Sequence, residues 1–241
     1  MAEPGRRSVR RSAALVAALC VLAGTAAVTL AVVAGPGPGL TGYVSEAGVA
    51  DSGYAWTYRF GVFALAGALL LLAVALRAGA PHYDDRALRV AVALLLAAGL
   101  CTVLSGAVTC SAGCPLPPFE RATVADLVHG TASIAASAAA VFAMLAFALS
   151  PVARRPLRRT GFVAAAVSLP VAGAVGLAML LVGRSPLVAV LERLLLAVAA
   201  AWALATAGVL AVRDPTALAV RDPQVAAAPA APRHGEDDAA V

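Results

Sequence analysis

The sequence predicts an all-α integral membrane protein: a six-transmembrane-helix bundle with its N- and C-termini in the cytoplasm. Composition, six long apolar runs and the distribution of arginine support this fold class. Of the 241 residues, 61% are hydrophobic and only 13% are charged, whereas a soluble domain carries about 25% charged residues. A chain this apolar has too few polar side chains to cover itself in water, so lipid is its expected surroundings.

Six apolar stretches are long enough to cross a hydrocarbon core about 30 Å thick, which takes roughly 20 helical residues. Helix is the expected state of each, because backbone groups in lipid must be satisfied within the segment and no alternating strand pattern is present. The predicted spans are Ala13–Ala34, Tyr58–Leu76, Val90–Val108, Val124–Leu149, Gly161–Val182 and Leu187–Val212.

All 18 basic residues are arginines, and they fall unevenly on the two sides of the predicted bundle. With the N-terminus inside, 14 lie in cytoplasmic segments and the outer side holds only Arg59, Arg121, Arg184 and Arg193. This imbalance matches the positive-inside rule and an even number of spans. Short arginine clusters between spans fit orientation better than phosphate binding, so the bilayer and not nucleic acid is the expected partner.

The spans divide the chain into three parts. Residues 1–12 are predicted as a basic cytoplasmic N-terminus and residues 13–212 as the six-helix transmembrane domain. Residues 213–241 are predicted as a disordered cytoplasmic tail, because proline and charge recur there without a helical apolar face.

Cys110 and Cys114 lie in the outer connection between helices 3 and 4, within the stretch CSAGCPLPPFERATVADLVHG. They face an oxidising compartment, where neighbouring cysteines tend to pair, and Gly113 and Pro115 supply a turn that brings them together. A structural disulfide is the preferred interpretation. Free thiols and redox or metal chemistry are the alternatives.

Asp126 and His129 stand three residues apart on helix 4 and share a face. Ser133 and Ser137 continue this face along helix 4. A matching polar stripe on helix 3 consists of Thr102, Ser105 and Thr109. One interpretation is hydrogen bonding between the two helices, with Asp126 and His129 hydrated at the membrane interface. The alternative is an outward-opening site in which Asp126 orients His129 for acid–base chemistry.

Glu192 and Arg193 interrupt the apolar run LVAVLERLLLAVAAAW near the outer end of helix 6. Charges at that depth need partners, and Arg59 or Asp126 is expected to supply one. The resulting group is interpreted as a structural ion cluster tying the helix ends together. A pocket for an anionic or polar ligand is the alternative.

Several motifs together resemble the bacterial membrane family called domain of unknown function 998. They are VSEAG at 44–48, YRFGVFALAGALLLLAVALR at 58–77, His129 at the start of helix 4 and LERLLLAVAAAW at 191–202. That family usually shows an I-S-[DE]-L-G-like outer loop, a His early in helix 4, and E-R followed by Trp in the last helix. The resemblance covers roughly residues 13–212 and singles out Ser45, Glu46, Gly48, His129, Glu192, Arg193 and Trp202. It implies a fold, a topology and a bacterial plasma (inner) membrane location, but no activity, and the CSAGC loop departs from the simpler loop expected there.

These observations predict an outward-facing polar cluster made of Ser45, Glu46, Arg59, Asp126, His129, Glu192 and Arg193. The leading hypothesis is a multi-pass inner-membrane protein that binds a small polar or lipid-derived ligand at this cluster, with no cofactor and no metal. Whether it is an enzyme, and its oligomeric state, stay open.

Two catalytic alternatives use the same window of the chain. A zinc hydrolase needs about three protein ligands. His82 and His234 are predicted to be cytoplasmic, so Cys110, Cys114, Asp126 and His129 are the plausible ligand set. A thiol oxidoreductase would instead use Cys110 and Cys114, and would need a further cysteine pair to pass electrons onward.

Overall fold

The computed structural model describes residues 4–35, 37–79 and 85–212, and over these ranges the chain is all-α without strands. Its long helices are α1 (Pro4–Ala34), α2 (Ala55–Gly79), α3 (Arg86–Ala107), α4 (Val124–Leu149), α5 (Arg155–Leu181) and α6 (Pro186–Ala211). Two short 3₁₀ turns, Gly39–Thr41 and Val44–Gly48, lie in the α1–α2 connection. All six helices are long and apolar enough to cross a membrane. The chain is a multi-pass membrane protein, as predicted.

The helix boundaries differ from the predicted spans mainly at the arginine-rich ends. α1 begins at Pro4 and α5 at Arg155, nine and six residues earlier than predicted, whereas α4 has the predicted bounds. A transmembrane helix can extend beyond the hydrocarbon core of the bilayer. Arginine residues suit this extension, because their aliphatic stems cover apolar surface while their charged ends reach water. The apolar runs therefore located the spans but not the helix ends.

The six helices close into a ring. Each helix packs on the next along the chain, and α6 packs back on α1. The shared core contains fully buried Leu72, Leu95 and Met144 together with many alanines. Trp202 of α6 packs on Phe147 of α4, with ring centroids 5.9 Å apart.

Close packing of α1 on α2 depends on two glycines that face each other. A Cβ atom at Gly24 would lie 2.8 Å from the carbonyl oxygen of Gly61, and a Cβ at Gly61 would lie 2.8 Å from that of Gly24. Small residues let transmembrane helices approach closely. This matters because the hydrophobic effect does not drive helices together in lipid, so close van der Waals packing stabilises their association.

The connections α1–α2, α3–α4 and α5–α6 lie at one end of the bundle, here called the loop face. At the opposite end, Asp85 caps α3 by accepting a hydrogen bond from the backbone N–H of Leu88 at 3.1 Å. The same carboxylate accepts a short hydrogen bond from the hydroxyl of Ser150, which follows α4. The Ser150 hydroxyl, together with backbone N–H donors, holds the pKa of Asp85 below its usual value. Asp85 therefore remains a carboxylate that joins two connections.

The predicted tail, residues 213–241, lies outside the described residues, as do His82 and His234. The division of the chain at residues 12 and 212 stays a prediction, and so does the placement of both termini in the cytoplasm.

Candidate functional site

Glu46 of the second 3₁₀ turn is buried at the loop face and binds Arg184 of the α5–α6 connection. Arg184 donates from Nε to Oε1 at 3.0 Å and from Nη2 to Oε2 at 2.6 Å. The side chain of Glu46 is 5% exposed and that of Arg184 is 39% exposed. Oε1 also accepts a hydrogen bond from the backbone N–H of Tyr43 at 2.8 Å. Charge-assisted bidentate pairs of this kind are among the stronger polar contacts in proteins. Hydrogen bonding to Glu46 raises the pKa of Arg184.

Glu192 and Arg193, neighbours on α6, both bind the α1–α2 connection. Glu192 Oε2 accepts a hydrogen bond from the backbone N–H of Val44 at 3.1 Å. Arg193 donates from Nη1 to the carbonyl of Gly42 at 2.9 Å and from Nη2 to that of Gly39 at 2.8 Å. The expectation that Arg59 or Asp126 would partner these charges is wrong, because backbone groups of the α1–α2 connection take that place.

Ser45 links the α1–α2 connection to the α3–α4 connection. Its hydroxyl donates to Cys114 Sγ at 3.3 Å. Tyr43, two residues earlier, packs in a small apolar cluster with Cys110, Cys114 and Val188. Burial, reinforced by the charge of Glu192, raises the pKa of the Tyr43 phenol. Tyr43 therefore remains a neutral phenol at physiological pH.

Asp126 is almost completely buried (2% exposed) and holds the α3–α4 connection. Oδ1 accepts from the backbone N–H of Ser111 at 2.6 Å, and the Ser111 hydroxyl reaches both carboxylate oxygens at 3.0 Å. Oδ2 accepts from the backbone N–H of Thr123 at 2.8 Å and from its hydroxyl at 2.7 Å. Thr123 in turn caps α4 by accepting from the Asp126 N–H at 3.2 Å, which completes a capping box.

His129 is 5% exposed and binds the end of α3. Its Nδ1 lies 2.8 Å from the carbonyl oxygen of Val108 and 2.9 Å from that of Ser105. Because carbonyls only accept, Nδ1 carries the proton and Nε2 keeps the free lone pair. Nε2 is buried and has no hydrogen-bond partner within the described ranges.

The acid–base arrangement proposed for Asp126 and His129 does not form. Among the residues that the structure describes, Asp126 bonds to Ser111 and Thr123 and not to His129. Neither side chain is hydrated at the surface as expected, since both are buried. The predicted polar contact between α3 and α4 is present, however: the hydroxyls of Ser105 and Ser133 lie 2.8 Å apart.

Cys110 and Cys114 form the predicted disulfide, with Cα atoms 5.0 Å apart. Gly113 and Cys114 both have positive φ, at 82° and 47°. Glycine tolerates this left-handed conformation readily, whereas a residue with a side chain adopts it less often. A ring nitrogen of His129 and the two sulfur atoms all lie within 4.8 Å of one another.

Within the described residues, Arg59 has no hydrogen bond or ion pair with the other predicted cluster residues. Its guanidinium carbon is 5.4 Å from the ring centroid of Trp56, a cation–π contact on α2. Trp56 is 79% exposed, as expected for an aromatic residue at a membrane–water interface. The predicted cluster therefore divides in three: residues that hold the α1–α2 connection (Ser45, Glu46, Glu192, Arg193), residues that join α3 to α4 (Asp126, His129), and Arg59.

Three residues outside the predicted cluster complete these contacts: Arg184, Ser111 and Thr123. For Thr123 the sequence held a usable signal, because Thr followed three residues later by Asp, just before an apolar run, resembles a capping box. Arg184 and Ser111 carry no comparable local signal, since their partners are 138 and 15 residues away.

The structure contains a small cavity at the loop face and a larger groove between two helices. Beside Tyr43 and Glu46 lies a cavity of only about 10 Å³. Between α1 and α6 lies an open groove of about 600 Å³, here called the α1–α6 groove. It is lined by Leu22, Thr25, Ala26, Thr29, Leu30, Val33, Ala200 and Leu204.

Comparison with protein-family models gives a match to the family described as "Protein of unknown function (DUF998)" over residues 15–209. This range covers α2 to α5 in full, α1 from residue 15 and α6 up to residue 209. The chain belongs to that family. The resemblance inferred from VSEAG, His129 and LERLLLAVAAAW is thus confirmed. The chain matches none of the curated proteins and none of the solved structures.

The residues singled out by the resemblance have structural contacts in this DUF998 protein. Gly48 lies against the ring of Tyr58, where a Cβ atom would collide with the ring carbons. Trp202 is 3% exposed in the core. Ser45, Glu46, Glu192 and Arg193 fasten the α1–α2 connection to neighbouring segments. The motif residues of the loop face thus hold this DUF998 protein's own connections together.

Proposed function

We propose that this DUF998 protein is a lipid-binding protein of the bacterial plasma membrane, with its loop face outside the cell. Its ligand is a membrane phospholipid, one acyl chain of which lies in the α1–α6 groove. The observation that carries the proposal is the groove itself. Its volume of about 600 Å³ falls within the range of about 300–1,000 Å³ typical of small-molecule sites.

A small polar ligand at the loop-face charges has less support. The carboxylates of Glu46 and Glu192 already bind other groups of the chain. The cavity beside Glu46, at about 10 Å³, is no larger than the space one water needs. Of the two ligand classes predicted from sequence, the lipid-derived one is therefore favoured.

The position of the groove fits a phospholipid. α1 and α6 pack on each other and run in opposite directions, so the end of α1 that contains Val33 and the part of α6 that contains Arg193 both lie toward the loop face. Arg193 stands seven residues before Ala200, on the same face of α6. An acyl chain along the groove would place the lipid phosphate near Arg193. The contacts of Arg193 are to neutral carbonyls, which leave its positive charge in place for a phosphate.

Two observations support the proposed orientation. Fourteen of the 18 arginines fall on the side opposite the loop face in the predicted topology, which is the cytoplasmic side by the positive-inside rule. The disulfide of Cys110 and Cys114 lies at the loop face, and disulfides persist in oxidising compartments.

Replacing Ala26 with tryptophan is expected to fill the groove and expel the lipid. Ala26 lines the groove, and loss of about 1.4 kcal/mol of contact would weaken binding about tenfold. The measurement is native mass spectrometry of the full chain released from detergent, with titration of a phosphatidylglycerol carrying a distinct mass label.

Ala23→Trp is the matched control, because Ala23 is an exposed α1 residue outside the groove. Wild type and Ala23→Trp should retain the labelled lipid to the same extent, and Ala26→Trp should lose most of it. Equal retention by both tryptophan variants would contradict the proposal. A dimer of the chain that only Ala26→Trp disrupts would also contradict it, since a second copy and not a lipid would then occupy the groove.

A further inference from the structure

Cys110, Cys114 and His129 form a compact group at the loop face that lipid binding does not use. All three are buried, at 4%, 6% and 5% exposure. A ring nitrogen of His129 and both sulfur atoms lie within 4.8 Å of one another. We propose that reduction of the Cys110–Cys114 disulfide converts this group into a three-ligand site for a zinc ion, with the two thiolates and the Nε2 lone pair of His129 as ligands.

The state of His129 is the first support. Its Nδ1–H donates to the carbonyls of Val108 and Ser105, which fixes the tautomer with the lone pair on Nε2. Histidines that bind metal usually donate their other ring N–H to a carbonyl or carboxylate. A buried Nε2 without a partner in the described part of the chain is costly unless something binds it. A metal ion would satisfy it.

The ligand set is the second support. Zinc in proteins is bound by Cys sulfur at about 2.3 Å and His nitrogen at about 2.0–2.1 Å, and Cys pairs two to four residues apart are common ligands. Cys110 and Cys114 are separated by three residues. Two ligands on one zinc ion can be at most about 4.6 Å apart, twice the Zn–S distance. A ring nitrogen of His129 lies within 4.8 Å of both sulfur atoms, so the three side chains are already close to this limit.

Charge and hydrogen bonding are the third support. Two thiolates and a neutral imidazole cancel the charge of Zn²⁺, so burial of the complex carries a small electrostatic cost compared with an isolated ion. The hydroxyl of Ser45 already donates to Cys114 Sγ and would donate to the thiolate in the same way. Asp126 is not among the proposed ligands, because its oxygens are engaged by Ser111 and Thr123.

Reduction of the Cys110–Cys114 disulfide requires a reductant, and a dithiol can serve. The dithiol gives two electrons and two protons to the disulfide, which becomes two thiols, while the dithiol becomes a cyclic disulfide. Zinc then displaces the two thiol protons and undergoes no redox change itself. The disulfide and the metal site therefore exclude each other, and the redox state of Cys110 and Cys114 determines which is present.

Cobalt provides the test, because Co²⁺ bound to thiolates absorbs light through sulfur-to-metal charge transfer. The full chain, with Cys20 and Cys101 replaced by alanine, is reduced with dithiothreitol without oxygen, desalted and titrated with Co²⁺ and then Zn²⁺. We expect one Co²⁺ per reduced chain with the charge-transfer band, its displacement by Zn²⁺, and no band from the oxidised chain.

His129→Asn separates metal binding from structure. The asparagine amide can still donate to the carbonyls of Val108 and Ser105, but it has no counterpart of Nε2. Loss of a ligand should weaken zinc binding at least as much as the about 10–100-fold that loss of an outer-shell partner costs, while thermal stability of the oxidised chain changes little. Cys110→Ser should abolish the two-thiolate band.

Three results would overturn the proposal: no band from the reduced chain, an equal affinity in His129→Asn, or a disulfide that the dithiol cannot reduce in the folded protein. Each outcome is independent of whether phospholipid occupies the α1–α6 groove, so this site and the lipid site are tested separately.

Discussion

Asp126→Asn is expected to lower the free energy of unfolding by about 1–3 kcal/mol. The carboxylate accepts hydrogen bonds from the backbone N–H groups of Ser111 and Thr123 and from both of their hydroxyls. Asparagine has one acceptor oxygen, and its NH₂ group would point at donors. Asparagine can therefore accept from only one of the two backbone N–H groups, and leaving the other without its partner costs about 1–3 kcal/mol.

The free energy of unfolding can be measured by titrating a denaturing detergent into mixed micelles and following Trp fluorescence. Asp51→Asn is the matched control, because Asp51 is an exposed aspartate in the α1–α2 connection. It should change stability by no more than about 0.5 kcal/mol. If Asp126→Asn were equally mild, the carboxylate would not be holding the α3–α4 connection.

Arg184→Gln is expected to destabilise the loop face by about 2 kcal/mol. It leaves the carboxylate of Glu46 buried with only the N–H of Tyr43 as a donor. Removing one partner of a buried pair costs about 3–5 kcal/mol, whereas exposed pairs contribute about 0–1 kcal/mol. An intermediate value follows because Arg184 is 39% exposed while Glu46 is 5% exposed.

The double variant Glu46→Gln/Arg184→Gln distinguishes a true pair from two independent contributions. Because the second change removes the unpaired charge, the double variant should be more stable than Arg184→Gln alone, with a coupling energy of about 0.5–3 kcal/mol. Arg121→Gln, at an exposed arginine of the same face, is the control and should have little effect. Additive losses would mean that Glu46 and Arg184 do not interact as the structure shows.

The fold was predictable because lipid imposes one strong constraint. Each apolar run of about 20 residues had to be a helix, and all six predicted spans correspond to helices. The helix ends were less predictable. Arg155 begins α5 six residues before the predicted span, since a helix continues into the interface as long as its side chains reach water. The length of an apolar run does not indicate how far the helix continues beyond it.

The candidate site was predictable in its residues more than in its contacts. Glu46, Glu192 and Arg193 do lie together at the loop face, because charges near the membrane boundary must find partners. Their partners were not predicted. Arg193 binds the backbone carbonyls of Gly39 and Gly42, and because every residue has a carbonyl, the sequence does not indicate which ones accept a hydrogen bond. Asp126 and His129 stand three residues apart on α4, but they do not bind each other. Asp126 binds Ser111, and His129 binds carbonyls at the end of α3.

The charged residues at the loop face have structural contacts. A cluster of conspicuous side chains in an apolar chain invites interpretation as a binding site. In this DUF998 protein those side chains bind the connections at the loop face. A groove of ligand size lies along α1 and α6, among residues such as Leu22 and Ala200 that resemble other membrane-facing positions in the sequence.

The proposed lipid site and the disulfide both depend on the loop face lying outside the cell. Single cysteines at Asp51 and Val152, exposed residues at opposite ends of the bundle, can be introduced into a chain in which Cys20 and Cys101 are alanine. Intact cells are then treated with a thiol reagent that cannot cross membranes. We predict labelling of Asp51→Cys alone, with Val152→Cys labelled only after lysis. Labelling of Val152→Cys in intact cells, with Asp51→Cys protected, would place the loop face in the cytoplasm and contradict the proposed orientation.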